Sequence, residues 1–194
     1  MKYLKKQVEF IEEIEKLKTI TRFNRTLDGR FENSAEHSWQ VALTSIILKD
    51  YYPHKIDIEK VLSMLLIHDL GEIYAGDTWV FDDLKKSSAH EKESQSIDKS
   101  LSILPIEQYS FLKESWIEFE TGNSAEARYA RVIDALVPLI NHLIVSEKGY
   151  NPDNISSKIV MEKKRFIEQE SSELWELVQE LVNSSIEKGL YNRE

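Results

Sequence analysis

The sequence predicts an all-α protein, a single-domain helical bundle of about seven to nine helices over residues 1–194. Three observations carry that expectation. Apolar residues recur at helical spacing, as in Leu4, Val8, Ile11, Ile14 and Leu17. Six glycines and four prolines in 194 residues leave long stretches uninterrupted. No alternating apolar and polar run of convincing length occurs, so no sheet is expected.

Residues 4–18 read as the first amphipathic helix, with charges between the apolar positions. Residues 19–32 read as irregular. Asn33 followed by Glu36 is a helix-start signal, because each side chain can satisfy a backbone donor of the other. The helix it opens runs to about Asp50, and Pro53 closes the region. Asp57 caps the next helix. Its centre, VLSMLLIHDL, is apolar nearly all round, as expected of a helix in the middle of a bundle. Residues 71–84, GEIYAGDTWVFDDL, read as a turn and loop. Ser88 with Glu91 opens a helix to about Leu104. The polar run 85–96 within it is the one candidate for a mobile lid, against the plainer reading of a solvated helix start. Pro105 begins a helix to about Glu120. Asn123 with Glu126 starts a long helix through Val145, and Gly149 and Pro152 end that segment. Residues 155–170 and 172–187 complete the set, the last with Leu174, Leu177, Val178, Leu181 and Val182 as an apolar stripe. The core is expected over about 4–146, with the C-terminal helices packing on it. No repeat and no flexible linker divides the chain.

Composition excludes several classes of function. The chain has no cysteine, so it offers no disulfide, thiolate ligand or thiol nucleophile. The start, MKYLKKQVEFIEEIEK, has no apolar core of signal-peptide length. No segment approaches the ~18 consecutive apolar residues of a membrane span, and a cytoplasmic protein is expected. A net charge of −9 argues against a general nucleic-acid binder. A basic island, Lys16, Lys18, Arg22, Arg25 and Arg30, precedes His37. A small anionic ligand would explain it, although each residue alone also reads as a solvated helix end or loop. Neither a Gly-x-Ser-x-Gly elbow nor a Walker-type glycine loop is present.

The chemistry-bearing set is His37, the adjacent pair His68-Asp69, and Asp134. Two imidazoles and two carboxylates suit a divalent transition metal. Singly, each has a plain alternative: a helix-end histidine, a satisfied buried pair, a partner for Arg128 or Arg131. Together they are harder to dismiss. Asp69 ends a strongly apolar helix, and Asp134 sits among Ala130, Ile133, Ala135 and Val137. Two buried carboxylates repel unless a cation holds them. Glu72 falls one turn after His68, on the same face. Pro138 cannot donate to the Asp134 carbonyl, so a kink is expected there. A metal, a neighbouring carboxylate and room for water suffice for hydrolysis without a covalent intermediate. His54, His90 and His142 are left outside this set. The four tryptophans read as core or interface anchors, with Trp79 and Phe81 also placed to stack on a base just after Asp77.

The stretches LKTITRF (17–23), ENSAEHSWQVAL (32–43), LLIHDLGEIYAGD (65–77) and EARYARVIDALVPLI (126–140) carry a resemblance. In content and order they resemble the HD-domain metal-dependent phosphohydrolase superfamily. Within it, the match is nearest the branch of bacterial 5′-deoxynucleotidases and their eukaryotic HD-domain-containing relatives. The resemblance implies one divalent transition metal (Mn, Co, Fe, Zn or Ni) on His37, His68, Asp69 and Asp134. It implies Glu72 as the catalytic carboxylate, Asp77 as a catalytic and substrate-orienting residue, and Arg22 as the phosphate ligand. Phe23 stands where the bacterial nucleotidase has a sugar-facing Trp, so an aromatic face is kept and an indole N–H donor is lost. The implied reaction is hydrolysis of (deoxy)nucleoside 5′-monophosphates to nucleoside and phosphate, with water as nucleophile, in a homodimeric protein. The alternatives are hydrolysis of a pyrophosphorylated or cyclic nucleotide, and a non-catalytic nucleotide-binding module.

Overall fold

A computed structural model describes residues 1–193, with the backbone alone described over 83–89. The chain begins with α1 (Lys2–Ile14), which tightens into a 3₁₀ turn, Glu15–Thr19. Two short strands follow, β1 (Thr21–Arg25) and β2 (Phe31–Asn33). Then come α2 (Ser34–Leu48), α3 (Ile58–Ile67), a 3₁₀ turn at His68–Gly71, and α4 (Glu72–Ala75). The helices α5 (Asp83–Leu101), α6 (Ile106–Thr121) and α7 (Ala125–Val145) complete the body. The chain closes with α8 (Ser157–Lys164), α9 (Phe166–Glu170) and α10 (Ser172–Lys188). Among the described residues, eight helices have eight residues or more, the helical bundle that the periodicity predicts.

The antiparallel hairpin of β1 and β2 corrects the expectation of no sheet, in a segment read as irregular. Thr21 pairs with Asn33 and Arg25 with Phe31. The turn between them closes through Thr26 N–H to Arg30 O, at 2.9 Å, and through Gly29 at φ 85°. Strands this short are marginal alone and need a supporting surface. Here it is α7, where the Asn24 side-chain amide donates to the Pro138 carbonyl at 3.3 Å. The pattern was hidden because β1 alternates between polar residues: Arg22 and Asn24 face in, while Thr21, Phe23 and Arg25 face out.

Other boundaries move for identifiable reasons. The Asn33–Glu36 capping box forms as expected, and Asp57 accepts from Glu59 N–H and Lys60 N–H. The long helix starts one residue later than expected, because Ser124 and not Asn123 accepts from Ala127 N–H. The helix expected from Ser88 already begins at Asp83, so the polar run 85–96 is helix and not loop; the side chains of its first residues, Ser88 included, lie outside the described residues. The helix expected over 155–170 divides at Arg165.

The core has two parts. α3 and α7 cross in the larger one, where Met64, Leu65, Tyr129, Ile133 and Leu136 are fully enclosed and Tyr129 donates to the Ser45 carbonyl at 2.7 Å. α10 lays Leu174, Val178 and Val182 against this core. The smaller part gathers Leu17, Ile67, Leu70, Ile73, Ile97, Leu101 and Trp116. Each large apolar side chain so buried contributes about 1.5–3 kcal/mol. The turn His68–Gly71 lies at the seam: Met64 and Leu65 before it enter the larger core, while Ile67, Leu70 within the turn and Ile73 enter the smaller one. Two cores therefore hold the His68-Asp69 pair from both sides. No helix among the described residues is long and apolar enough to cross a membrane.

Candidate metal centre

Each candidate ligand is delivered by an element whose local chemistry fixes it. The Asn33 capping box anchors the start of α2, so His37 leaves from a rigid first turn. The backbone at His68 is held by the Trp116 indole N–H, which donates to its carbonyl at 3.1 Å. Gly71 lets this turn approach α5: a Cβ there would lie 3.0 Å from Glu93 backbone and side-chain atoms. Asp134 projects from the middle of α7, between the enclosed Ile133 and Val137.

The four converge. His37 Nε2 lies 2.9 Å from Asp134 Oδ1, and His68 Nε2 lies 3.4 Å from the same oxygen and 3.2 Å from Asp69 Oδ1. One donor atom each from His37, His68 and Asp69 fits within 4.8 Å of the others. Side-chain exposure climbs from 0% at His37 through 3% at His68 and 12% at Asp69 to 31% at Asp134, so the cluster opens to solvent on the Asp134 side.

A divalent ion fits these residues. The His68 Nδ1–H donates to the Leu65 carbonyl at 2.8 Å, which turns the Nε2 lone pair into the cluster. That Nε2 is enclosed, with no hydrogen-bond partner among the described residues. Asp69 and Asp134 flank it, and the Arg22 guanidinium beside Asp69 gathers Glu32, Glu72 and Asp77 within 3.9 Å. Burial alone would lower the His68 imidazole, but Asp69 and Asp134 outweigh it and raise it to about 9. Burial opposes ionisation of Asp134, yet the His37 hydrogen bond and the His68 imidazole hold it well below the ordinary carboxylate range. The surplus negative charge that draws a proton here is the demand a divalent cation would meet.

The other predicted residues fall on two sides. Arg22 Nη1 lies 2.8 Å from Asp69 Oδ2, 3.5 Å from Glu72 Oε1 and 3.9 Å from Asp77 Oδ1. These carboxylates outweigh burial and raise the Arg22 guanidinium further above its usual range, so it is a permanent charge. Glu72 takes a hydrogen bond of 2.5 Å from the Ser34 hydroxyl. Burial, and after it the Asp69 carboxylate, raise the Glu72 carboxyl to about 10. Burial also raises Asp77, whose carboxylate accepts a hydrogen bond from Glu72. The two carboxyls titrate as a linked pair. Phe23 faces away from Arg22 on the alternating strand, 55% exposed, with its ring 5.9 Å from that of Trp79. Trp79 in turn meets Phe81 edge-on at 5.4 Å.

Sequence reasoning missed Glu32 and Ser34, although both lie in or beside the quoted 32–43 stretch. Only a cross-strand reading of 21–33 would have set Glu32 beside Arg22, and no strand was foreseen. The basic island largely disperses: Lys16 pairs with Glu13, Lys18 with Glu15 and Arg30 with Glu36, Arg25 lies over the Phe31 ring, and only Arg22 enters the site. Of the tryptophans, Trp116 is a core anchor at 2% exposure, whereas Trp39 on α2 is 64% exposed. His90 stacks on Trp116, and His142 on Tyr191.

The chain is similar to known proteins along most of its length. A family model described as HD domain matches residues 14–175. The human 5′-deoxynucleotidase HDDC2 is 28% identical over 105 residues, covering 54% of this chain and 50% of that protein. The chain thus spans about half the length of the first curated relatives it matches, although the Xenopus laevis 5′-deoxynucleotidase HDDC2, 23% identical, aligns over 80% of this chain and 76% of its own. A solved structure described as a predicted metal-dependent phosphohydrolase from Magnetospirillum magnetotacticum MS-1 superposes with a TM-score of 0.89 at 33% identity, covering 97% of this chain and 95% of that one.

Proposed function

The chain belongs to the HD-domain family, and on that footing we propose that it is a divalent-metal-dependent phosphohydrolase, a 5′-nucleotidase acting on (deoxy)nucleoside 5′-monophosphates. The observation that carries this reading is the position of Arg22. A guanidinium, the side chain best shaped to grip phosphate oxygens, stands 2.8 Å from a carboxylate of the metal cluster and 3.5 Å from the acid/base candidate Glu72. A metal held only for stability needs no such neighbour.

His37, His68, Asp69 and Asp134 would hold the ion, and the nitrogen and oxygen set accepts Mn, Co, Fe, Zn or Ni. When bound, it supplies Lewis acidity to the phosphoryl group and acidifies water. Arg22 neutralises charge that builds on the phosphoryl oxygens, with two parallel N–H donors. Glu72 and Asp77 take a proton from the attacking water and return one to the departing 5′-oxygen as the phosphorus–oxygen bond breaks, so their proton count is unchanged over a turnover. Asp77 also orients the nucleoside side of the substrate. Trp79, two residues after Asp77, and Phe23, whose ring meets it at 5.9 Å, offer aromatic faces for sugar or base. Uncatalysed phosphomonoester hydrolysis is slow enough that acceleration reaches up to ~10²¹-fold, whereas proton transfer supplies ~10²–10⁴-fold, so positioning and fixed charge carry most of the barrier.

The reading includes a cytoplasmic homodimer of one-domain subunits. The exposed α2 residues Trp39, Leu43 and Ile47 support self-association, which light scattering at several concentrations tests. The activity is tested by stripping the protein, reloading it with each metal, and assaying a panel of ribo- and deoxynucleotides with chromatographic product analysis. The expected products are nucleoside and orthophosphate, lost on EDTA treatment and in Glu72→Ala. Release of pyrophosphate or opening of a cyclic nucleotide would move the protein to another hydrolase class, and binding without turnover would make it a nucleotide-binding module.

A further inference from the structure

Glu32 takes no part in the reading above, yet its placement is unusual. It is 4% exposed on β2, and its Oε2 is enclosed without a hydrogen-bond partner among the described residues. His37 Nδ1, on the far side of the ring from Asp134, is enclosed and unpartnered in the same way. These two orphaned atoms face each other at 4.0 Å. The same carboxylate oxygen lies 3.9 Å from Arg22 Nε. Buried polar atoms without partners are costly, and two of them set opposite one another point to a contact that forms when the site is loaded.

We propose that Glu32 is a positioning residue that fixes His37 toward the metal and Arg22 toward the phosphate, and so couples the two halves of the site. A histidine that gives one nitrogen to a cation carries its proton on the other, and an acceptor there sets the ring's orientation and strengthens it as a ligand. His68 already has its acceptor in the Leu65 carbonyl. Glu32 is the group placed to serve His37. A small side-chain rotation closes the separation to hydrogen-bond length, since β2 enters α2 directly through Asn33 and holds both residues on one continuous stretch. On the paired strand, Arg22 presents its Nε edge to this carboxylate and leaves Nη1 to the Asp69 side. The inference rests on the metal-site reading above, and its test is read without nucleotide.

The test is Mn²⁺ titration of stripped protein by calorimetry for wild type, Glu32→Gln, Glu32→Asp and Glu32→Ala, with circular dichroism confirming helix content. Glu32→Ala is expected to weaken Mn²⁺ binding by about tenfold to a hundredfold. Glu32→Gln retains an oxygen acceptor for His37 and is expected to rescue most of that loss. Glu32→Asp withdraws the acceptor by one methylene and is expected to bind weakly although charged. If Glu32→Ala does not fold, the contrast between Gln and Asp decides. Equal Mn²⁺ affinity across the folded variants overturns the proposal, as does a wild type that takes up no Mn²⁺. A protein that shows this dependence but hydrolyses no nucleotide keeps the inference and loses the nucleotidase reading. One that hydrolyses nucleotides while binding Mn²⁺ equally well without Glu32 does the reverse.

Discussion

Arg22 Nη1 and Asp69 Oδ2 stand 2.8 Å apart, so the guanidinium proposed to hold phosphate is paired with a carboxylate proposed to hold metal. Both side chains are largely buried, at 15% and 12% exposure, where removal of one partner leaves an uncompensated charge. Arg22 therefore serves the substrate while it competes with the cation for Asp69.

Arg22→Ala should move two quantities in opposite directions. Loss of a preorganised phosphate donor is expected to lower kcat/KM on dAMP by about 10²–10³-fold. Release of Asp69 is expected to tighten Mn²⁺ binding in the absence of nucleotide. Steady-state kinetics and calorimetry on the same preparation check both, and unchanged Mn²⁺ affinity would contradict the competition. Arg22→Lys keeps charge but not the two-pronged geometry, and should fall between.

Ser34→Ala removes the 2.5 Å hydrogen bond to Glu72. A bond of this kind contributes about 0.5–1.5 kcal/mol, so kcat should fall by about twofold to tenfold with KM little changed. The bond favours the ionised carboxylate, and its loss should raise the Glu72 pKa further. The limb of the pH–rate profile governed by Glu72 then shifts to higher pH. A pH profile that superposes on the wild type would detach Ser34 from Glu72 function.

Phe23→Ala and Trp79→Ala each remove one face of the 5.9 Å aromatic pair. Stacking on a base contributes about 1–3 kcal/mol, so KM for nucleotides should rise by about fivefold or more while hydrolysis of a small aryl phosphate is spared. Phe23→Trp restores an indole N–H and is expected to change the ratio of deoxy- to ribonucleotide turnover. Equal losses on nucleotide and aryl phosphate would assign the pair to packing alone.

Glu13 ties three elements together at 7% exposure, accepting from the Tyr74 hydroxyl at 2.6 Å, Ser100 at 3.0 Å and Lys16 at 2.6 Å. Burial opposes its ionisation, but these partners outweigh burial and lower its pKa below the ordinary glutamate value. A carboxylate with a depressed folded pKa contributes stability above its unfolded pKa and loses it as pH falls through the folded value. Urea unfolding of Glu13→Gln against wild type should show a deficit of about 1–3 kcal/mol at pH 7, shrinking below pH 4. A deficit that does not vary with pH would mean that the charge is irrelevant.

The periodicity of Leu4 to Leu17, the Asn33 and Asp57 caps and the apolar VLSMLLIHDL segment set out most of the helices, because helix signals are local and repeat within a few residues. The His37, His68-Asp69 and Asp134 set was legible for a related reason: each carboxylate sits in an apolar stretch where charge requires an explanation. The hairpin was not legible, since β1 buries Arg22 and Asn24 and thus inverts the apolar alternation that marks a strand.

By itself, then, the sequence determined a helical bundle and the identity of the groups that carry chemistry, through spacing and through charge placed in apolar surroundings. Only the tertiary structure decided that one guanidinium of the basic island turns inward, that Ser34 and Glu32 join the site, and that Phe23 meets Trp79. These are contacts between residues 10 to 56 positions apart in the chain, set by strand pairing and by packing on α7 and α3, and no local pattern records them.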